Sequence, residues 1–405
     1  MNNNERIQAR IARDKERRLS RKIARNVEVG GFNNLISYQN YLAALKKCNV
    51  GVMWKSSVQR YNFSAVTKNS GTIESIRDGK PIKLKAAKQI YIKERGKSRI
   101  ITPVVISDRI TQRVICDNHL LPLISNSLIY DNGASLKGKG VSFTRKRAMQ
   151  HIMKCARKYR DNFYILTFDF KKFFDNIPHI ACYRVLNKYL TDKRVIKLIM
   201  DIILSYKRPD IMRIENEDER TEMLEKLETF QLKGICLGSQ ISQILALVVP
   251  NELDHYIKDV RGVKHYVRYM DDGLIMSDSK EYLCDLYVEM KRVCEELGLI
   301  FNEKKTKIVK ASKGFTFLKI KYRVLDSGRV VRVLARDGIV RMRRKLKKYR
   351  NLYDGEKMTI DDVYNSIQSR IAHMKLASSY ISMKTMVKLC NSLFPELRKK
   401  VGLIT

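Results

Sequence analysis

His265–Met276 reads HYVRYMDDGLIM, and Tyr164–His179 reads YILTFDFKKFFDNIPH. In the first stretch, the apolar runs His265–Met270 and Gly273–Met276 meet at Asp271–Asp272, the pattern of two short strands joined by a tight hairpin. In the second, Tyr164–Asp169 is β-branched and aromatic, hence a strand, and a helix begins at His179 after Pro178. Asp169 thus stands at the C-terminal end of a strand, where a side chain leaves a sheet on a fixed backbone. Adjacent acids such as Asp271 and Asp272 are costly to hold together unless cations neutralise them. Hard carboxylate oxygens suit Mg2+, which takes one or two carboxylates plus substrate phosphates instead of a closed protein cage. Two such ions about 3.5–4 Å apart can activate an attacking hydroxyl and stabilise the leaving group of a phosphoryl transfer. On its own an Asp-Asp pair at a hairpin tip is a solvated turn. What surrounds it decides between the two.

The bulk of the sequence narrows the partners. Eighty Lys and Arg against 42 Asp and Glu leave a net charge of +38 on 405 residues. That exceeds what solubility requires and points to a partner of dense negative charge, nucleic acid or an anionic membrane surface. The longest apolar run, Ile244–Val249, falls far short of the ~18–20 residues of a membrane span, and the N-terminus is too polar for a signal peptide. The eight cysteines form no C-x-x-C pair and no histidine clusters with them. This argues against a zinc ribbon or a disulfide framework and reads as reduced thiols in a cytoplasmic protein.

Elsewhere the chain interleaves helices and strands. Residues 1–28 are a basic helical extension that either docks on RNA phosphates or frays. A helical pattern covers Asn33–Ala65, and KQIYIKERGKSRIITPVV at 88–105 alternates in strand fashion about a turn at 94–97. Helical patterns follow over Asp108–Leu121 and Phe143–Tyr159, with the Gly/Lys loop DNGASLKGKG at 131–140 between them. A charged stretch covers 208–229. Gly234–Gly238 opens a helix running to about Val260, Glu281–Leu297 is helical, and Phe315–Val324 with Arg329–Val333 forms a further hairpin. The last 70 residues are helical and basic, seven of the ten residues 341–350 being Lys or Arg. The class is α+β or α/β with a helical C-terminal unit.

Together these stretches resemble the reverse transcriptases. Tyr269-Met270-Asp271-Asp272 is similar to their YxDD box. YILTFDFKKFFDNIPH is similar to the first palm motif, and GICLGSQISQ at 234–243 to the Gly-rich segment that opens the long palm helix. All three occur in the family's order and approximate spacing. The resemblance implies an α+β right-hand polymerase with fingers, a palm of antiparallel sheet plus helices, and a helical thumb. It divides the chain into a basic helical extension (1–30), fingers (31–158), palm (159–325) and a basic thumb (326–405). It implies that Asp169, Asp271 and Asp272 are catalytic and hold two Mg2+ ions, for which Mn2+ can substitute, with the backbone carbonyl of Phe170 facing one of them. Phe174, five residues after Asp169, would sit under the sugar and exclude a 2′-hydroxyl; the alternative is a core aromatic beside Phe173.

Further matches extend over nearly the whole chain. Gly96-Lys97-Ser98-Arg99 resembles the fingers hairpin, whose Lys97 and Arg99 would grip the incoming dNTP through charge-assisted phosphate contacts. Gly238 falls beside the nucleotide, and Lys305 in LIFNEKKTKI (299–308) is the candidate general acid. Asp108–Arg109 and the loop carrying Lys137 and Lys139 resemble elements that follow the template. Phe317-Leu318-Lys319 resembles the primer-grip turn. Arg343, Arg344 and Lys347 lie in the basic helices suited to an RNA–DNA duplex read by shape and phosphate position.

The departures from the family pattern are specific. Cys236-Leu237-Gly238 stands where many members have Pro-Gln-Gly, Gln240 and Gln243 replace two common prolines, and Lys319 replaces the usual Gly of the primer grip. Leu237 and Ser242-Gln243 are closest to prokaryotic enzymes of the phage-defence and diversity-generating types. The resemblance therefore implies a stand-alone enzyme copying a dedicated structured non-coding RNA into cDNA, with a role in bacterial antiphage defence. Mutagenic copying in a diversity-generating element and a retron-type role are the alternatives; a homo-oligomer is compatible with all of them. Another palm polymerase, making RNA, and a catalytically silent RNA-binding protein on the same scaffold also stay open.

Overall fold

A computed structural model describes residues 3–80, 90–94, 97–207, 232–334, 336–375, 377 and 380–397. The charged stretch 208–229 and the hairpin-turn residues 95 and 96 lie outside the described residues. The chain forms two compact units, one of residues 1–140, 170–262 and 289–301, the other of 141–169, 263–288 and 302–405. Among the described residues nine strands make three antiparallel sheets. These are β1 (Ile90–Glu94) with β2 (Lys97–Ile101); β3 (Tyr164–Phe168), β4 (Tyr266–Tyr269), β5 (Asp272–Ser277) and β6 (Lys307–Lys310) in the order β4-β5-β3-β6; and β7 (Phe315–Phe317), β8 (Ile320–Val324) and β9 (Val330–Leu334) in sequence order. No described helix is long and apolar enough to cross a membrane.

The first unit is mostly helical. Helix Ile106–Ile115 buries Ile110, Val114 and Ile115 completely, while helix Tyr38–Asn49 buries Tyr41, Ala44, Leu45 and Cys48. The N-terminal residues form one helix, Asn3–Glu28, which does not fray at its C-terminal end. There the Asn26 amide donates to the carbonyl of Tyr189 (2.8 Å) and accepts from the Thr191 N–H (3.1 Å), and Lys22 Nζ reaches the carbonyl of Asn187 (2.6 Å).

In the second unit the four-stranded sheet is positioned by two buried faces. Ile165, Val267, Leu274 and Met276 point to one side and pack with Ala148, Ile152, Cys155 and Ala156 of helix Val141–Tyr159. Side chains alternate along a strand, so Leu166, Phe168, Tyr266, Arg268 and Ile275 take the other side. All of them are buried as well, which is why these strands read as continuous apolar runs instead of alternating ones. The same cluster takes in Phe315, Phe317, Ile320, Tyr322 and Val324 of the three-stranded sheet. A separate core forms from helices Arg336–Asp354, Ile360–Lys375 and Tyr380–Leu393, around Leu346, Val363, Ile367, Met374, Cys390 and Phe394.

Candidate active site

Sheet register alone brings the two acidic segments together. Phe168 of β3 pairs with Gly273 of β5, and in an antiparallel ladder the next row sets Asp169 opposite Asp272. Directly opposed residues have Cβ atoms about 4.5–5.5 Å apart, close enough for the carboxyls to touch. At that spacing the negative charges of Asp169 and Asp271 both act on the Asp272 carboxyl. The row below explains Gly273. A Cβ added there would lie 2.0 Å from Cζ of the Phe168 ring, so the ring occupies the space that only glycine leaves free.

The hairpin tip is two residues long, Met270–Asp271, closed by the pair Tyr269–Asp272. Met270 has φ 52, a left-handed conformation that is strained for a bulky side chain. Its carbonyl accepts a 2.8 Å hydrogen bond from Nη1 of Arg268, an arginine with no solvent exposure. A charged donor buried beneath the tip thus fixes the strained turn that presents Asp271 and Asp272.

Asp169 is 6% exposed and held from a third segment. Asn302 donates its backbone N–H to the Asp169 carbonyl (2.7 Å) and its amide to Oδ1 (3.3 Å), while Lys305 Nζ approaches Oδ2 at 2.5 Å. The turn carrying both is closed by N–H groups of Lys305 and Thr306 on the Asn302 carbonyl, each 2.9 Å. Burial first, then the negative charges of Asp271 and Asp169, push Asp272 up to about 7, against the pull of Lys305. Asp272 therefore tolerates ionisation poorly beside two other carboxyls, while the Lys305 ammonium pairs with Asp169. Among the described residues no group of three or more His, Cys, Asp or Glu side chains is placed to hold a metal ion by itself. The donors are hard oxygens with charge in excess, a set that fits Mg2+ arriving with substrate phosphates better than a resident structural ion.

The other sequence-derived candidates fall as follows. Phe170 bridges Phe301 and stacks on Phe301 and Phe173 (ring centroids 5.1 and 5.2 Å). Phe173 takes the core position, while Phe174 stays half-buried with its carbonyl accepting from the Ile235 N–H at 2.8 Å. Gly238, at φ 118, leaves room for the Thr102 carbonyl, which an added Cβ would approach to 3.1 Å. Ser239 caps helix Gln240–Val248 and donates to buried Gln112 (2.9 Å), tying that loop to helix Ile106–Ile115. Arg109 and Lys137 are exposed. Lys139 instead turns back onto the carbonyls of Tyr130 and Asn132 (2.8 and 3.1 Å) and staples its own loop. Lys97 and Arg99 lie on β2, opposite Glu94 and Ile92; their side chains lie outside the described residues.

Lys319 is exposed in a two-residue turn in which Leu318 (φ 45) and Lys319 (φ 70) are both left-handed, as the commonest hairpin turn demands. Arg145 supports it, Nε and Nη2 donating to the Leu318 carbonyl at 3.2 and 2.6 Å. On helix Arg336–Asp354, Met342, Leu346 and Tyr349 are buried, which leaves Arg343, Arg344 and Lys347 on the solvent face.

Reading the sequence missed Arg268, Asn302 and Arg145. Arg268 and Asn302 lie inside quoted motifs. An arginine in a strand reads as a solvent-facing residue, however, and nothing local marks Asn302 as the second partner of a strand end more than 130 positions away.

A family model described as "Reverse transcriptase (RNA-dependent DNA polymerase)" matches residues 87–322. No curated protein matches the chain by sequence. Among solved structures, apo telomerase from Candida tropicalis truncated from its C-terminal domain is similar at 14% identity and TM-score 0.41, over 60% of this chain and 54% of that one. Telomerase from Candida albicans, in complex with a fragment of telomeric RNA, is similar at 11% identity and TM-score 0.44, over 79% of this chain and 55% of that one. The chain thus spans about half the length of these structures.

Proposed function

The chain belongs to the reverse transcriptase family, the RNA-directed DNA polymerases, and on that premise we propose that it extends a primer 3′-hydroxyl with dNTPs on an RNA template by two-metal phosphoryl transfer. The observation that carries this reading is the strand register, which sets Asp169 at one strand end opposite Asp272 beside the hairpin tip. Two Mg2+ ions bound there would lower the pKa of the attacking hydroxyl and neutralise the departing pyrophosphate. Asp169 and Asp271 would hold them, Asp272 would complete the acidic set, and the Phe170 carbonyl would supply a further oxygen.

The chain's own residues do the positioning. Asn302 fixes one oxygen of Asp169, and Lys305 balances the other until a triphosphate offers it a better partner, from where it can protonate the leaving group. Lys97 and Arg99 grip the phosphates, Gly238 lets backbone approach the nucleotide, and the exposed face of Phe174 excludes a 2′-hydroxyl. Arg109, Lys137, Lys319, Arg343, Arg344 and Lys347 follow the nucleic-acid backbone, while Lys139 holds the shape of the loop that presents Lys137. On this reading the fingers take 31–158, the palm 159–325 and the thumb 326–405, behind a basic extension at 1–30.

The template is a cognate structured non-coding RNA, and the setting is prokaryotic antiphage defence. That reading is supported by Leu237 and Ser242-Gln243, which suit the defence and diversity-generating enzymes. Sequencing the RNA and cDNA that co-purify with the chain tests it. One abundant RNA species with matching cDNA is expected, whereas cDNA scattered over cellular transcripts would remove the dedicated-template reading.

A further inference from the structure

From Val29 to Ile73 the chain holds no Asp or Glu but five Lys or Arg, although acids make up about one residue in ten overall. This segment precedes the family match, which begins at residue 87. Among the described residues it also carries the most exposed aromatic side chains of the first unit. Trp54 is 75% exposed and Phe63 is 97% exposed, with Met53 beside them at 52%.

Hydrogen bonds bring the two segments that bear these side chains together. Asn49 and Asn62 pair through their amides (2.9 Å), and Asn62 Nδ2 also meets Met53 Sδ at 3.6 Å. The loop after helix Tyr38–Asn49 is thereby folded against the end of helix Ser56–Phe63 that bears Phe63. The Trp54 indole N–H donates to the Gly51 carbonyl (3.2 Å), which fixes the ring, and Lys55 Nζ lies 5.3 Å from the ring centroid. Arg60 and Lys68 are exposed on the neighbouring helices.

A fixed indole and a solvent-facing phenyl cost free energy in water and contribute nothing to the core. Flanked by cations with no acid in the segment, they are suited to a partner with flat π-faces and a phosphate backbone. Unpaired nucleotides fit both requirements. Bases stack on aromatics regardless of sequence, at about 1–3 kcal/mol per base, while cations follow the backbone. A duplex hides its base faces and fits only the cations.

We propose that the Trp54–Phe63 corner is a binding site for single-stranded RNA, separate from the acidic site. It would hold an unpaired segment of the RNA while another part is copied. The proposal rests on the reading of this chain as an enzyme that handles RNA.

Trp54 is the only tryptophan of the chain, so its fluorescence reports this corner alone. Titrating the full chain with an unstructured RNA of ~12 nucleotides should quench it strongly, and blunt duplex RNA should leave it nearly unchanged. Phe63→Ala should weaken single-strand affinity by about 5–150-fold, the equivalent of one lost stack. Extension of a short pre-annealed primer–template should keep its wild-type rate.

If single-stranded RNA binds by gel shift without altering the fluorescence, the proposal is wrong. It is equally wrong if the wild-type chain is a dimer that Trp54→Ala makes monomeric, since the corner would then be a contact between copies. Quenching in a chain that extends no primer would leave this site standing and remove the polymerase reading. Extension without quenching would do the reverse.

Discussion

Replacing Asp272 by Asn should stabilise the metal-free protein above neutral pH, and the size of the gain follows from the site. Burial and two neighbouring carboxyls raise Asp272 from 3.8 to about 7. Every tenfold change in acidity between those two values is worth 1.36 kcal/mol, so ionised Asp272 costs the fold about 4 kcal/mol relative to an unfolded chain. The sign follows from the raised value. Below pH ~4 the group is protonated in both states and no cost arises; the cost grows as pH rises from ~4 and is complete above ~7. Asn keeps the shape without the charge. In EDTA at pH 8, Asp272→Asn should therefore melt about 8–16 °C above wild type, at roughly 2–4 °C per kcal/mol for a unit of this size. At pH 4 the two should nearly coincide. Saturating Mg2+ should narrow or invert the gap at pH 8, because wild type alone retains the full acid set. Differential scanning fluorimetry across pH, with EDTA or Mg2+, measures all of this. An Asn variant no more stable than wild type at pH 8, or a gap independent of pH, would refute the claim that the three carboxyls crowd one another.

Other substitutions separate shape from chemistry. Gly273→Ala puts a Cβ into the Phe168 ring and should cost about 1–3 kcal/mol by overpacking, read by chemical denaturation, with primer extension falling in parallel. Phe174→Ala should raise the kcat/KM for rNTPs relative to dNTPs by roughly 10–200-fold, the range one apolar contact supplies; an unchanged ratio would return Phe174 to a packing role. Arg268→Met should lower kcat by about 5–150-fold, since the Met270 strain it holds is about 1–3 kcal/mol. Adding Met270→Gly should recover most of that loss, and no recovery would mean the clamp is not what Arg268 does.

The strands, the hairpin at Met270–Asp271 and the position of Asp169 at a strand end are all legible locally, because β-branched and aromatic runs bounded by polar residues leave few other folds. Register is legible only in part. The glycine at 273 and the aromatic at 168 can be read from the sequence, yet that they occupy one space depends on which strands pair. The three-stranded sheet extends the expected hairpin by one strand, since the short run Phe315–Phe317 turns back at Leu318–Lys319. A Leu-Lys pair carries no turn signal and needs Arg145 from a distant helix to hold it. Arg268 misleads for a related reason. A charge inside an apolar strand is expected at the surface, whereas Arg268 is buried with its guanidinium on the strained carbonyl two residues on.

The central claim is that Asp169, Asp271 and Asp272 act as one metal-binding unit that makes DNA on RNA. Primer extension on an RNA template with dNTPs, comparing wild type with Asp271→Asn, tests it most directly. Wild type should extend the primer in Mg2+, and Asp271→Asn should give no product above background while binding the same RNA as tightly or more tightly. Product formed by Asp271→Asn at a rate near wild type would contradict the claim.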